Sequence, residues 1–278
     1  MWELSRWMTY CGVITVKLIF DMRSKIKLIS TDFDGTIHNP DDTPPIAFEW
    51  LARVRVAQTS GAKWVVNTGR ELTDVIEKLR LLAGDTLPDF IVAVEREIHE
   101  QDNGRYVGHA SWNADCRTDH VELFVRAGDV LNKIQKWVEA RFAAQVYADA
   151  WSPLCIIASH PPDADEIHSR VEEECRSVPG LLVVRNAHYF RFGHHHYSKG
   201  TALAEIARRL GLKKAEIFAA GDHFNDLSML DGVHAGRVAA PSNAIPEIKT
   251  VVAKAGGYIA SRPCSLGTLE ALEFFEIN

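Results

Sequence analysis

The feature that most constrains this chain is an apolar run, Ile26 to Ile29, that stops at two carboxylates one residue apart, Asp32 and Asp34, with Gly35 and Thr36 directly after. A run this short and β-branched reads as a buried strand. Carboxylates at a strand's C-terminal end lie where open α/β sheets bind their ligands. Two acids so close repel each other, and burying either one unpaired is costly. A hard cation such as Mg2+ resolves that conflict. Gly35 lets the backbone turn tightly after the acids.

The pattern repeats downstream. Beyond a proline-rich loop (Pro40, Pro44, Pro45) a helix is predicted from about Ile46 to Ser60, with Ala47, Trp50, Leu51 and Val54 on one face and Gly61 at its end. Lys63 to Val66 reads as a second buried strand ending at Asn67-Thr68-Gly69-Arg70, and the next helix runs from Glu71 to Leu82. Strand, loop, helix, twice over, is the signature of a parallel doubly wound sheet. Thr68 and Gly69, between a strand and a helix, offer a hydroxyl and backbone N–H groups to an anion. Phe90 to Val94 is a third apolar run.

From about Gln101 to Gly193 the pattern changes to mixed α+β. A strand is expected at Arg105–Ala110, and Val121–Val125 has no clear assignment. A helix is expected at Val130–Phe142, a strand at Leu154–Ser159 and an acidic helix at Asp163–Ser177, opened by Pro161 and Pro162. Leu181–Asn186 and His188–Phe192 read as two short strands. His194, His195 and His196 are adjacent, and on an extended segment side chains alternate, so three do not easily bind one ion, and one of them facing the cleft to touch substrate is the better expectation.

Lys199 then opens a helix running through Leu210, and Glu216 to Ala220 is another apolar strand. It ends at Gly221-Asp222, and a turn into a helix brings Asp222, Asn225 and Asp226 to one side. A strand at His234–Val238, a short helix from Pro241–Ala244 through Lys249, a last strand at Val251–Val252 and a helix at Leu266–Phe275 complete the expected order.

A chain of 278 residues has room for one large domain or for a core with a smaller insert. The net charge of −6 argues against a nucleic-acid-binding surface. Val13 to Phe20, interrupted by Lys17, is too short to span a bilayer, so no membrane partner is expected. Five cysteines without a C-x-x-C pair fit reduced thiols, and a cytoplasmic protein is expected. Residues 1–24 read as an extension preceding the fold, with Met22 just ahead of the first strand.

Four strings, in family order, resemble the motifs of the haloacid dehalogenase (HAD) superfamily of phosphohydrolases: Asp32-Phe33-Asp34-Gly35-Thr36, Asn67-Thr68-Gly69-Arg70, Ser198-Lys199-Gly200 with Ala202-Leu203, and Gly221-Asp222 with Asn225-Asp226 and Met229. The second and third are close to forms of the type IIB, Cof-like branch. The resemblance implies an α/β Rossmannoid core, a doubly wound parallel sheet over residues 25–100 and 194–278, with an α+β cap inserted at 101–193. It implies Asp32 as nucleophile, forming an aspartyl-phosphate, and Asp34 as general acid and base. Lys199 would neutralise charge. Thr68 and Gly69, with Arg70, would bind phosphate, and Asn225 would orient the phosphoryl group or Lys199. Mg2+ would be held by Asp32, the Asp34 backbone carbonyl, Asp222 and Asp226. Asn243, in an Asn-Ala pair common at this point of Cof-like chains, could contribute. Where type IIB relatives carry an acidic residue followed by Asn-Gly, this chain has Glu95-Arg96-Glu97, a departure at the hinge between core and cap. The implied activity is Mg2+-dependent hydrolysis of a small phosphomonoester of the sugar-phosphate kind. A phosphomutase or phosphotransferase, or a non-catalytic sugar-phosphate-binding regulator, would use the same site.

Overall fold

The computed structural model describes residues 25–277, so the expected extension at 1–24 lies outside them. Strand β1 (Leu28–Thr31) is followed by α1 (Phe48–Thr59), β2 (Lys63–Asn67), α2 (Leu72–Leu82) and β3 (Phe90–Ala93). Two strands, β4 (Glu97–Asp102) and β5 (Arg105–Gly108), come next, then the long helix α3 (Ala110–Arg141). Strands β6 (Ala144–Tyr147) and β7 (Cys155–Ala158), helix α4 (Pro161–Cys175) and strands β8 (Leu181–Asn186) and β9 (Tyr189–His194) follow. The chain closes with α5 (Lys199–Arg209), β10 (Ile217–Ala220), α6 (Leu227–Leu230), β11 (Arg237–Ala240), α7 (Pro246–Lys254), β12 (Tyr258–Ile259) and α8 (Cys264–Ile277).

The larger sheet has the order β12-β11-β10-β1-β2-β3-β4-β5. It is parallel from β12 to β3 and antiparallel through β4 and β5. Both faces are covered, which is why its central strands are apolar throughout. Side chains alternate between the faces. Ile29 joins Trp50, Trp64, Leu79, Phe218 and Leu272 under α1, α2 and α8. Its neighbour Leu28 joins Val65, Leu203, Ile206, Met229 and Ile248 under α5, α6 and α7. The indoles of Trp50 and Trp64 meet edge-to-face at 6.3 Å, a geometry aromatic quadrupoles favour. This is the doubly wound α/β fold expected from the alternating pattern.

The second sheet, β6-β7-β9-β8, is antiparallel. One face is covered by α3 and α4, with Leu123, Ile134, Val138, Ile167, Val171, Phe190 and Phe192 buried together. Alternation along β9 sends Tyr189 and Arg191 to the opposite face from Phe190 and Phe192. Tyr189 and Arg191 border a cavity that they share with Asp32 and Thr68 of the core.

Several expectations are corrected. Strand β5 extends the larger sheet, so that sheet runs past the expected boundary at 101. Its hydrogen-bonding neighbour β4 was not foreseen. Residues 121–125 are not a separate segment but the middle of α3, where Val121 and Val125 are 64% and 79% exposed while Leu123 is buried. Strand β11 begins at Arg237, after Gly236, where an added Cβ would lie 2.8 Å from the Lys214 carbonyl oxygen. Val251 and Val252 belong to helix α7, with Pro246 in its first turn, and the last strand is Tyr258–Ile259. Pro241–Ala244 is loop, because Asn243 there donates from Nδ2 to the Gly35 carbonyl at 2.7 Å and accepts from the Cys264 amide at 2.8 Å.

Candidate active site

Strand β1 lies between β2 and β10, with Thr31 in register with both Val66 and Ala220. The loops that follow these three strands therefore emerge side by side at the carboxyl edge of the sheet. The Asp32 amide still donates to the Ala220 carbonyl at 3.0 Å, which fixes the acid at the strand tip. Gly35 turns the chain at φ +74°, and a Cβ there would lie 2.3 Å from Asp222 Oδ2. Glycine is thus required twice, for the left-handed backbone and for the approach of a carboxylate. The Thr36 hydroxyl donates to Asp222 Oδ1 at 2.7 Å.

Lys199 is the first residue of α5. The Ser198 hydroxyl accepts from the Thr201 amide at 3.3 Å and Thr201 Oγ1 accepts from the Ser198 amide at 2.8 Å, a reciprocal cap. Asn67 adds a clamp, Nδ2 donating to the Lys199 carbonyl at 2.9 Å. So held, the fully buried Lys199 ammonium lies 2.8 Å from Asp32 Oδ1 and 2.6 Å from Asp226 Oδ1. The other Asp226 oxygen accepts the amides of Asp222 at 2.8 Å and His223 at 3.0 Å, so Asp226 anchors the loop as well as the lysine. Burial works against the Lys199 charge, but Asp226 and Asp32 outweigh it and raise its pKa.

The acids titrate as a crowded group. Burial raises the Asp32 pKa well above the usual carboxylate range, with Asp226 and Asp222 adding to the rise and Lys199 opposing it. Burial, then the charge of Asp226, pushes Asp222 up to about 7. Asp32, Asp222 and Asp226 each offer a carboxylate oxygen, all within 4.8 Å of one another. Hard oxygen donors that repel one another in a low-dielectric pocket suit a small divalent cation, so these residues fit Mg2+. The Asp34 carboxylate stands apart from this group. It takes a bidentate ion pair from Arg70, Nε to Oδ2 at 2.6 Å and Nη2 to Oδ1 at 2.8 Å, with His38 Nδ1 at 2.9 Å from Oδ1. Burial alone would raise its pKa, but the hydrogen bonds from His38 and Arg70 bring it down to about 2.

Thr68 is buried, its amide bonded to the Val92 carbonyl at 2.9 Å, and with Gly69 and Arg70 it borders the cavity above Asp32. Arg70 is not an open phosphate ligand here, since Asp34 and Asp74 hold its guanidinium. Asn225 does not bond Lys199. Its Nδ2 donates to Glu95 Oε1 at 2.9 Å, and its Oδ1 is buried without a partner. Sequence reading missed Glu95. It is buried at φ +67°, next to Val94 at φ +45°, and its amide donates to the Thr68 carbonyl at 2.9 Å. Two consecutive left-handed residues without glycine are strained and mark the hinge as a constrained part of the site. Thr36, His38 and Asn67 were also unassigned. Arg191 was legible in principle, since the alternation Tyr189-Phe190-Arg191-Phe192 puts a cation on the face opposite two phenylalanines.

A doubly wound sheet bearing two acids after β1, a buried lysine and clustered carboxylates at one edge, beside an antiparallel cap, is the arrangement to set against known phosphohydrolases. The sequence model of the haloacid dehalogenase-like hydrolases matches residues 132–258, and together with the relatives below it supports a hydrolase of that type. Putative phosphatase YxeH of Bacillus subtilis is 26% identical over 250 residues, covering 80% of this chain and 89% of the relative. The 5-amino-6-(5-phospho-D-ribitylamino)uracil phosphatase YcsE of B. subtilis is 26% identical over 264 residues, covering 89% and 94%. Among solved structures, sucrose-phosphatase from Synechocystis superposes with a TM-score of 0.69 at 18% identity, covering 91% of this chain and 98% of that one. The chain is an HAD-type phosphatase. Among the described residues, no helix is long and apolar enough to cross a membrane.

Proposed function

We propose that this phosphatase hydrolyses a small phosphomonoester, of the sugar-phosphate kind, in two in-line displacements through an aspartyl-phosphate on Asp32. The observation that carries this reading is the buried Lys199 bridging Asp32 and Asp226 beside Asp222. In the first step an Asp32 oxygen attacks phosphorus as the ester P–O bond breaks and the leaving oxygen takes a proton from Asp34. In the second, Asp34 removes a proton from water as it attacks the acyl phosphate, returning Asp32 and releasing phosphate. Lys199, the Thr68 hydroxyl and the backbone of Gly69 balance the equatorial phosphoryl charge. Mg2+ held by Asp32, the Asp34 carbonyl, Asp222 and Asp226 would supply further charge neutralisation. With its pKa near 2 in the pair with Arg70 and His38, Asp34 is set as the base. Service as the acid requires the Arg70 pair to part, since an ionised carboxylate has no proton to give. The cavity above Asp32, about 120 Å³, suits a small leaving group.

Phosphate release across sugar phosphates, nucleotides and an aryl phosphate, with Mg2+ and with EDTA, tests the reading. Release from a few compounds that stops with EDTA is expected, and release unaffected by EDTA would remove the metal from it.

An acid whose folded pKa is raised, as for Asp222 from 3.8 to about 7, stabilises the fold below its unfolded pKa, and that contribution is lost as pH rises through 7. The metal-free protein should therefore lose stability from this group between pH 4 and 7, while Mg2+, which prefers the ionised form, should raise Tm more at pH 8 than at pH 5. Equal shifts at both pH values would count against Asp222 as a ligand.

A further inference from the structure

Beside the cavity above Asp32 lies a smaller recess that shares Glu95, Val184 and Arg191 with it and is also lined by Arg96, Lys199 and Asn225. Its charged lining is Arg96, Arg191 and Lys199 against Glu95 alone. The charge of Lys199 is met by Asp32 and Asp226. Glu95 is turned to Asn225. The two guanidiniums are left incompletely satisfied.

Arg96 is only 6% exposed, yet its guanidinium donates to the Trp151 carbonyl, and among the described residues no carboxylate lies within ion-pairing distance of it. Arg191 is 8% exposed. Its Nη2 pairs with Asp149 Oδ2 at 2.7 Å and its Nη1 reaches the Gly69 carbonyl at 3.4 Å, while its Nε is buried without a partner. Burial disfavours the charge on Arg96 and Arg191 adds to that, while Cys116, Glu95 and Glu97 oppose it without reversing the downward shift. Two buried guanidiniums lining one recess, of which only Arg191 has an ion-pair partner, cost free energy that a further anion in the recess would offset. A guanidinium fork matches a carboxylate better than it matches a hydroxyl.

We propose that Arg96 and Arg191 form a second-anion subsite, so that the substrate is a phosphorylated acid, a short-chain or sugar-acid phosphate whose carboxylate is read a few bonds from the phosphorus. This rests on the phosphatase reading of the same site and narrows its substrate class. The carboxylate would accept from the free N–H groups of Arg96 and from Arg191 Nε. A neutral polyol phosphate would leave Arg191 Nε buried without a partner and Arg96 without a counter-charge, which is a strong basis on which a site rejects a near-isostere.

The test uses matched pairs differing only in the acid: 3-phosphoglycerate against glycerol 3-phosphate, and 6-phosphogluconate against sorbitol 6-phosphate. With the Mg2+-loaded full chain, kcat/KM should favour an acid over its partner by about tenfold or more. In Arg96→Gln that ratio should fall toward one, mainly through a higher KM for the acid. Arg96→Lys, which keeps the charge without the fork, should lie between. Should Arg96→Gln fail to fold, the wild-type ratio and the Lys variant still decide. A wild-type ratio at or below one for every pair overturns the subsite and leaves the phosphatase standing. Equal losses on both members of a pair in Arg191→Lys would assign Arg191 to the phosphoryl group instead and overturn its part.

A binding arm separates the two readings. In Asp32→Asn, 3-phosphoglycerate should raise Tm more than glycerol 3-phosphate does. That preference without turnover of any phosphomonoester by the wild type would keep the subsite and overturn the phosphatase reading. Neither preference nor turnover would overturn both.

Discussion

Replacing Asp32 by Asn is expected to cut phosphate release about a thousandfold or more while leaving the fold intact. The amide fills the same space at the tip of β1 but offers no anionic oxygen to phosphorus. Stability should hold or improve, because burial already raises the Asp32 pKa, so the ionised form is disfavoured where it sits. Lys199 would keep Asp226 at 2.6 Å, so its charge is not stranded. The comparison to make is single-turnover phosphate release alongside the thermal transition. Turnover within about tenfold of wild type, in a variant with an unchanged transition, would remove the covalent step from Asp32.

Lys199→Met is expected to lose about 3–5 kcal/mol of stability as well as activity. Lys199 is wholly buried, and both Asp32 and Asp226 depend on it for a counter-charge within 3 Å. Methionine leaves two carboxylates facing each other next to Asp222 in a low-dielectric pocket, and burial has already raised Asp32 and Asp222. Adding Asp226→Asn to Lys199→Met should restore much of the stability, since Asn keeps an acceptor for the Asp222 and His223 amides. It should restore none of the turnover. Urea midpoints for the two single variants and the double form a cycle. Additive losses would show that the lysine and Asp226 do not depend on each other.

The parallel strands were legible because each is buried on both faces and so written in β-branched and small apolar residues. Strand β4 was not, because Glu97, His99, Glu100 and Asp102 make it read as loop. Its position at the antiparallel side of the sheet, with Ile98 pointing into the core, lets it carry that polarity. Helix α3 misled for the opposite reason: Val121 and Val125 lie on its solvent face, while the buried series Cys116, His120, Leu123, Ala127, Leu131 is partly polar. At the site, Asp32, Asp34, Asp222 and Asp226 could be placed because each pair sits in one loop and the strand pattern brings those loops together. What Arg70, Asn225 and Glu95 touch depends on how the β3 hinge folds back, and no local pattern encodes that. Arg70 was expected at phosphate and is engaged with Asp34. Asn225 was expected near Lys199 and is engaged with Glu95.

Helix α3 has a consequence for how such proteins can be recombined. Its first turn is stitched to the larger sheet, Asn113 donating to the Ile98 carbonyl at 3.0 Å and accepting from the Ile98 amide at 2.9 Å, while Leu123 to Val138 form part of the cap's own interior. At 32 residues it is a rigid rod of about 48 Å with no joint where one half hands over to the other. A graft that exchanged caps between relatives at residue 101, where the polarity of the chain changes, would cut through β4 and take β5 away from the sheet edge on which this rod is rooted. The transferable cassette starts instead at the foot of the helix, after Gly108, and carries the rod with it as a single splint.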